Sequence, residues 1–186
     1  MVKAKLKKKK RKWFTIKPKE EYKNKIIGEV LAYEPIDLVG RKITISYGDL
    51  SDNPKDNKNK IKFEIVEIKE GEGLAEPRGI YVQDTFIDQR TKRDKSKGLL
   101  VIKEKTKDGK NIKLKIAYSS RNKISNSSNA KIQKQLEAYF RELLNKNNTN
   151  KLFDVSYTKK ETNLIKDKTR KTYPIDKLYI WKLSII

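Results

Sequence analysis

The chain has no cysteine and no histidine among its 186 residues. The first absence excludes disulfides, and the two together exclude zinc sites built on Cys or His. Catalysis by Cys–His or Ser–His–Asp arrangements is impossible, and the usual proton shuttle near neutral pH is missing. Long apolar runs are absent: no stretch approaches the ~20 residues that span a bilayer. The basic N-terminus is not followed by the apolar segment of a secretory signal, so the chain reads as cytoplasmic. Phosphate-cradling GxGxxG and GxxxxGK[ST] patterns are absent too. Gly71 and Gly73 lie in an acidic EGEG turn, the wrong charge for phosphate.

Acidic residues are scarce relative to basic ones. Lys and Arg number 46 against 24 Asp and Glu, an excess of +22. An isolated compact body with that excess repels itself. A polyanion relieves the repulsion, and nucleic acid does so with release of condensed counterions. An anionic membrane surface is the competing partner. The segment 159–171, KKETNLIKDKTRK, is a poor membrane helix, because only Leu164 and Ile165 are apolar. Only eight of the basic residues are Arg. Lys is a hydrated point charge, so this surface suits backbone contacts on a shaped RNA better than base reading.

What is present is mostly strand. Residues 3–12, KAKLKKKKRK, form a charge block that cannot order itself in water. It is expected to be a disordered arm that orders on phosphates, with a passive solvated tail and a nuclear address as the other readings of the same residues. Trp13-Phe14 ends the block; such a pair reads first as an anchor to the core and second as a stacking surface. Ile43, Ile45 and Tyr47 alternate with polar residues, as do Ile61, Phe63 and Ile65. Val66 and Ile68 then shift the phase, which suggests a bulge or a two-faced strand. Leu99–Ile102 is an apolar run consistent with a buried strand. Ile112, Leu114, Ile116 and Tyr118 alternate with Lys113, Lys115 and Ala117, and Asp108-Gly109 marks the hairpin before them. The outward positions are repeatedly Lys.

The segments 51–60, 88–97 and 119–129 read as polar connections. Ser128 or Asn129 is expected to cap a helix over 130–146, whose stripe is Ile132, Leu136, Phe140, Leu143 and Leu144. Residues 150–170 are ambiguous. Pro174 bars a helix, and Leu178, Ile180 and Trp181 suggest a closing strand. The expected fold class is α+β: a mainly antiparallel, β-barrel-like core with one or two C-terminal helices and a basic disordered N-terminal arm. The expected organisation is a tail over 1–12 and a single domain over 13–186, β-rich over 13–120, helical over 129–170 and closed by a strand over 177–183.

The functional signal is distributed. Basic clusters lie at 3–12, 90–97, 121–123 and 166–171. To form one footprint they must converge, and structured RNA is the natural target because A-form grooves are read by shape and phosphate. The candidate RNA-binding residues are Lys7, Lys8, Lys9, Lys10, Arg11, Lys12 and Trp13 in the arm. Arg90, Lys92, Arg93, Lys95 and Lys97 follow in the middle, then Arg121, Lys123, Arg170 and Lys171. The carboxylate pairs Glu20-Glu21, Glu64/Glu67 and Asp84/Asp88 sit among many Lys, where ion pairing is the ordinary explanation. No catalytic residue, metal or cofactor is expected, and no enzyme activity.

A set of short segments in order resembles the archaeal and eukaryotic small-subunit ribosomal proteins of the S-one-e family, older name S-three-A-e. It begins at Arg11-Lys12-Trp13-Phe14-Thr15-Ile16 and continues through Ile27-Gly28-Glu29, Leu38-Val39-Gly40-Arg41 and Tyr47-Gly48-Asp49-Leu50. Lys60 to Glu67, Thr106-Lys107-Asp108-Gly109 and Tyr173-Pro174-Ile175 complete it. The resemblance implies a structural constituent of the small ribosomal subunit, bound to its ribosomal RNA on the platform near the messenger RNA exit. Partners implied are that RNA, neighbouring small-subunit ribosomal proteins and messenger RNA at the exit, with no membrane and no homo-oligomer. A non-ribosomal basic RNA-binding module is the alternative that charge alone supports. The family's arginine-rich stretch is shorter here, Arg90-Thr91-Lys92-Arg93.

Overall fold

The computed structural model describes residues 10–19, 25–90, 95–170, 173 and 175–186. Eight strands and five α-helices follow the order β1 (Lys12–Pro18), β2 (Gly28–Ala32), β3 (Lys42–Ser46), α1 (Tyr47–Ser51), β4 (Asn59–Lys69), β5 (Glu72–Val82), α2 (Asp84–Arg90), β6 (Lys97–Lys105), β7 (Asn111–Ser120), α3 (Asn126–Lys146), α4 (Thr149–Phe153), α5 (Val155–Arg170) and β8 (Ile175–Ile185). They form two compact units, residues 1–45 with 62–77, and residues 46–61 with 78–186.

In the first unit β1 pairs antiparallel with β2 and parallel with β5. Ile16, Ile27, Leu38, Phe63, Ile65 and Ala75 are buried there. The β4–β5 hairpin turns on Glu70 (φ 52°) and Gly71 (φ 82°). Two successive left-handed residues give a turn whose twist matches that of the strands, and Gly71 takes its conformation without a Cβ penalty. Lys17 pairs with Glu72 at 2.7 Å, and Lys19 reaches Glu67 and Glu76 at 3.5 Å. Ion pairing is thus the ordinary role of these carboxylates.

In the second unit β5, β8, β7 and β6 lie side by side and antiparallel. The alternation in β7 has its expected consequence: Ile112, Leu114, Ile116 and Tyr118 are buried on one face. Helices α3 and α5 pack on β6 and β8 and cover that face. The strand order, β2-β1-β5-β8-β7-β6 with β3 on β4 and β4 on β5, is an open path. The expected barrel closure is therefore corrected to an open, mostly antiparallel sheet with several helices. The reason is visible in the second unit: helices, not a curled sheet, bury the apolar face.

Further details differ from the sequence expectation. Helix α3 begins four residues earlier, capped by Ser125, whose hydroxyl accepts from Ser128 N at 3.3 Å. Residues 155–170, ambiguous within the helical stretch expected over 129–170, are a helix whose inward stripe is Val155, Thr158, Thr162, Ile165 and Thr169, while Leu164 is exposed. The threonine hydroxyls donate to carbonyls one turn back, Thr162 to Thr158 O and Thr169 to Ile165 O, both at 2.7 Å. That satisfies them inside a packed face. The run 99–102 is not buried on both sides: Leu99 and Val101 are 49% and 45% exposed, and only Ile102 is fully buried. A short helix, α2, takes in residues 88–90, the first three of the segment expected to be a polar connection.

Candidate nucleic-acid interface

The second unit gathers basic segments that are distant in sequence. Lys97 on β6 stands opposite Ser119 on β7, which stands opposite Lys177 on β8. The segment after β7 is tied to the start of β6: Ser120 N donates to Ser96 O at 2.9 Å, and Ile124 N donates to Ser96 Oγ at 3.0 Å. Arg121 and Lys123 are therefore held beside Lys97, all three exposed. The end of α5 arrives at the same place, because Tyr173 N donates to Thr169 O at 2.8 Å just before β8 begins. Arg170, exposed, lies at this end of the strands. Thus 95–97, 121–123 and 166–170 meet at one end of β6–β7–β8.

Lys95 is paired within the protein. Its ammonium donates to Asp176 Oδ2 at the start of β8. That hydrogen bond holds the Asp176 carboxyl below its ordinary range, helped by the charges of Lys95, Lys177 and Lys166. Lys166 and Lys177 belong to the basic end as well, and the sequence clusters alone did not single out Lys177. A strict period of two over Lys177, Tyr179 and Trp181 is the signal that finds it.

The first unit carries its own basic segment at the start of β1. Lys10, Arg11 and Lys12 are exposed. The Arg11 guanidinium lies over the Tyr33 ring, 5.0 Å from its centre. Trp13 stands opposite Leu31 in the β1–β2 ladder and is 67% exposed. The anchor reading of the Trp13-Phe14 pair is therefore corrected for Trp13, whose side chain is outward, while Phe14 is half-buried. Lys7, Lys8, Lys9, Lys92, Arg93 and Lys171 lie outside the described residues, and Arg90 is the last residue of α2.

The outward face of β6–β7–β8 carries Lys97, Leu99, Val101 and Lys103 on β6, and Lys113, Lys115, Ala117 and Ser119 on β7. A bulge between Lys115 and Ile116 turns Trp181 to this side, where the Lys115 ammonium lies 5.4 Å from its ring centre. Trp181 Nε1 donates to Asp84 Oδ1 at 2.6 Å, and Phe86 meets Tyr179 edge-on at 5.6 Å. Helix α2 is thereby fastened to β8. Asp84 is used as a hydrogen-bond acceptor, and among the described residues no three acidic groups gather as a metal site. No helix among the described residues is long and apolar enough to cross a membrane. A face with spaced ammonium groups and ring edges can hold phosphates by charge and bases by stacking.

Comparison with known proteins bears on the whole chain. The model of the Ribosomal S3Ae family matches residues 2–186. The chain is similar to small ribosomal subunit protein eS1 of Staphylothermus marinus, 24% identical over 176 residues, which is 95% of this chain and 83% of that protein. It is similar to the protein of that name from Thermoplasma acidophilum, 26% identical over 192 residues, covering 99% and 86%. The Methanobrevibacter smithii protein of that name is 24% identical over 182 residues, covering 96% and 92%. A match across essentially the full length, on a chain that folds into a mixed sheet with one strongly basic end, leaves one conclusion: the chain belongs to the Ribosomal S3Ae family.

Proposed function

We propose that this chain is a structural constituent of the small ribosomal subunit that binds its ribosomal RNA on the platform near the messenger RNA exit. The observation that carries this reading is the convergence of 95–97, 121–123 and 166–170 at one end of β6–β7–β8. Family membership supplies the ribosomal context. The exposed cations Lys97, Arg121, Lys123 and Arg170 contact phosphates, and Lys10, Arg11, Lys12 and Trp13 contribute from the other unit. Lys7, Lys8 and Lys9, with Arg90, Lys92, Arg93 and Lys171, extend the same contacts. Lys95 acts chiefly by holding Asp176 and hence the geometry of the basic end. Neighbouring small-subunit ribosomal proteins and messenger RNA at the exit are the further partners. The protein is cytoplasmic and ribosome-bound, and its role is architectural, with no enzyme activity.

The test is sedimentation of the native protein through a sucrose gradient. It is expected to travel with small subunits and to stay with them through a moderate salt wash. Recovery only in the free soluble pool would overturn the reading. Binding isolated RNA of any shape as tightly as the particle would instead favour a non-ribosomal RNA-binding module.

A further inference from the structure

The outward face of β6–β7–β8 holds a groove of about 530 Å³, walled on one side by α2. That volume lies in the range of small-ligand pockets, ~300–1,000 Å³. Its chemistry changes along its length. At one end stand Lys97 and Lys177, with Ser119 between them. The floor in the middle is Leu99, Ala117 and Tyr179. At the other end are Trp181 and the carboxylates of α2, Asp84 on the indole and Asp88 one turn further on.

An ordinary solvated sheet face does not account for two of these features. Ser119 is 2% exposed, yet its hydroxyl has no hydrogen-bond partner. Buried hydroxyls are normally satisfied, and leaving one unsatisfied costs ~1–3 kcal/mol. Leu99 is a large apolar side chain left 49% exposed in the middle of a lysine-bearing face. A ligand with an anionic end, a flat apolar body and hydrogen-bond donors answers all of it.

We propose that this groove binds one unstacked nucleotide of a single-stranded RNA, an inference that rests on the RNA-binding reading above. The phosphate sits against Lys97 and Lys177, within reach of the Ser119 hydroxyl. The base lies across Leu99 and Ala117 toward the Tyr179 and Trp181 rings. Asp88 accepts from an exocyclic amine or a ribose hydroxyl. Bases can be taken this way only from unpaired RNA, because those of a duplex are stacked inside it. An acidic peptide would meet the lysines but would be repelled by Asp84 and Asp88.

The protein has two tryptophans, so Trp13→Phe leaves Trp181 as the only one and keeps an aromatic ring at position 13. Its fluorescence is titrated with a short unstructured single-stranded RNA, with a blunt RNA duplex of the same composition, and with a poly-glutamate peptide. Single-stranded RNA is expected to quench Trp181, and the duplex to bind without quenching. In the same background Leu99→Asp and Ser119→Ala are measured, with circular dichroism to confirm folding. Leu99→Asp is expected to weaken single-strand binding about tenfold or more, the scale of removing one base from its stacking platform, and to leave duplex binding within about twofold. Ser119→Ala removes the hydroxyl alone and is expected to shift the same ratio in the same direction. Binding of both RNAs without quenching overturns the groove alone. Equal loss of both RNAs in Leu99→Asp does so too, as does quenching by the peptide. If neither RNA binds, the RNA-binding reading falls and the groove proposal with it.

Discussion

The two faces of the β6–β7–β8 sheet are made by the same strands and have opposite fates. On one, Ile102, Ile112, Leu114, Ile116, Leu178 and Leu183 are buried beneath α3 and α5. On the other, Lys97, Lys103, Lys113 and Lys115 alternate with them and face outward, with the short α2 fastened near β8. The covered face holds the fold together by removing apolar surface from water, worth ~25 cal/mol per Å². The outward face adds less to stability, since its ammonium groups stay partly in water and such groups pair weakly. It keeps the chain's charge available to a polyanion. The contrast teaches that stability and binding are separable here, and substitutions test that separation.

The largest effect belongs to the covered face. Phe140 on α3 is fully buried and meets Tyr139 edge-on at 5.6 Å. Phe140→Ala is expected to destabilise by ~3–5 kcal/mol in urea unfolding. RNA affinity of the protein that remains folded should be unchanged. Next comes Gly98, directly opposite Tyr118 on the same face. A Cβ there would lie 2.0 Å from Tyr118 Cζ and 2.2 Å from its hydroxyl oxygen, so the ring must leave its place and its 2.6 Å hydrogen bond to Asn129 Oδ1. Gly98→Ala is expected to cost ~1–3 kcal/mol by the same measurement. A neutral result would mean that the two faces are less rigidly partitioned than the packing implies.

On the outward side the expected pattern reverses. Arg121→Ala with Lys123→Ala should leave unfolding free energy within ~0.5 kcal/mol. The slope of log affinity against log salt should flatten by ~0.7–0.9 for each phosphate that is no longer neutralised. An unchanged slope would remove that segment from the interface. The smallest effect concerns Asp176, whose carboxyl is held low by Lys95. Its folded pKa lies below its unfolded value of ~3.9, so the stability it adds is present above that value and fades as pH falls below it. Asp176→Asn should lower the urea midpoint near neutral pH by an amount worth ~1 kcal/mol or less, closing below pH ~4. A difference that persists at low pH would point to packing in place of charge.

Legibility in the sequence followed how plainly a side chain declares its face. β7 was readable because its inward residues are all large and apolar and its outward ones include Lys113 and Lys115. Helix α5 was legible only as part of a helical stretch over 129–170; its inward stripe was not, because three of its five inward residues are threonines, which register as polar until their hydroxyls are seen to bond backbone carbonyls one turn back. The run 99–102 misled in the other direction: four apolar residues suggested burial on both sides, but β6 ends the hydrogen-bonded strand order, and Leu99 and Val101 stand on its open face. Trp13 misled for a related reason. Its size suggested an anchor, whereas its place opposite Leu31 turns it to solvent.

The charge, the absence of Cys and His, the alternation of the strands and the ordered family-like segments are local or summed properties. The amino-acid sequence by itself determined them, and with them the expectation of a lysine-faced, RNA-bound protein. Convergence is not a local property. That 95–97, 121–123 and 166–170 share one end of a sheet depends on the pairing of β6, β7 and β8, which brings together residues some 80 positions apart. Whether the apolar face was buried by closing a barrel or by covering it with helices was likewise decided only by tertiary packing. Either solution buries the same alternating residues, and it is the packing of α3 on β6 and α5 on β8 that covers them with helices.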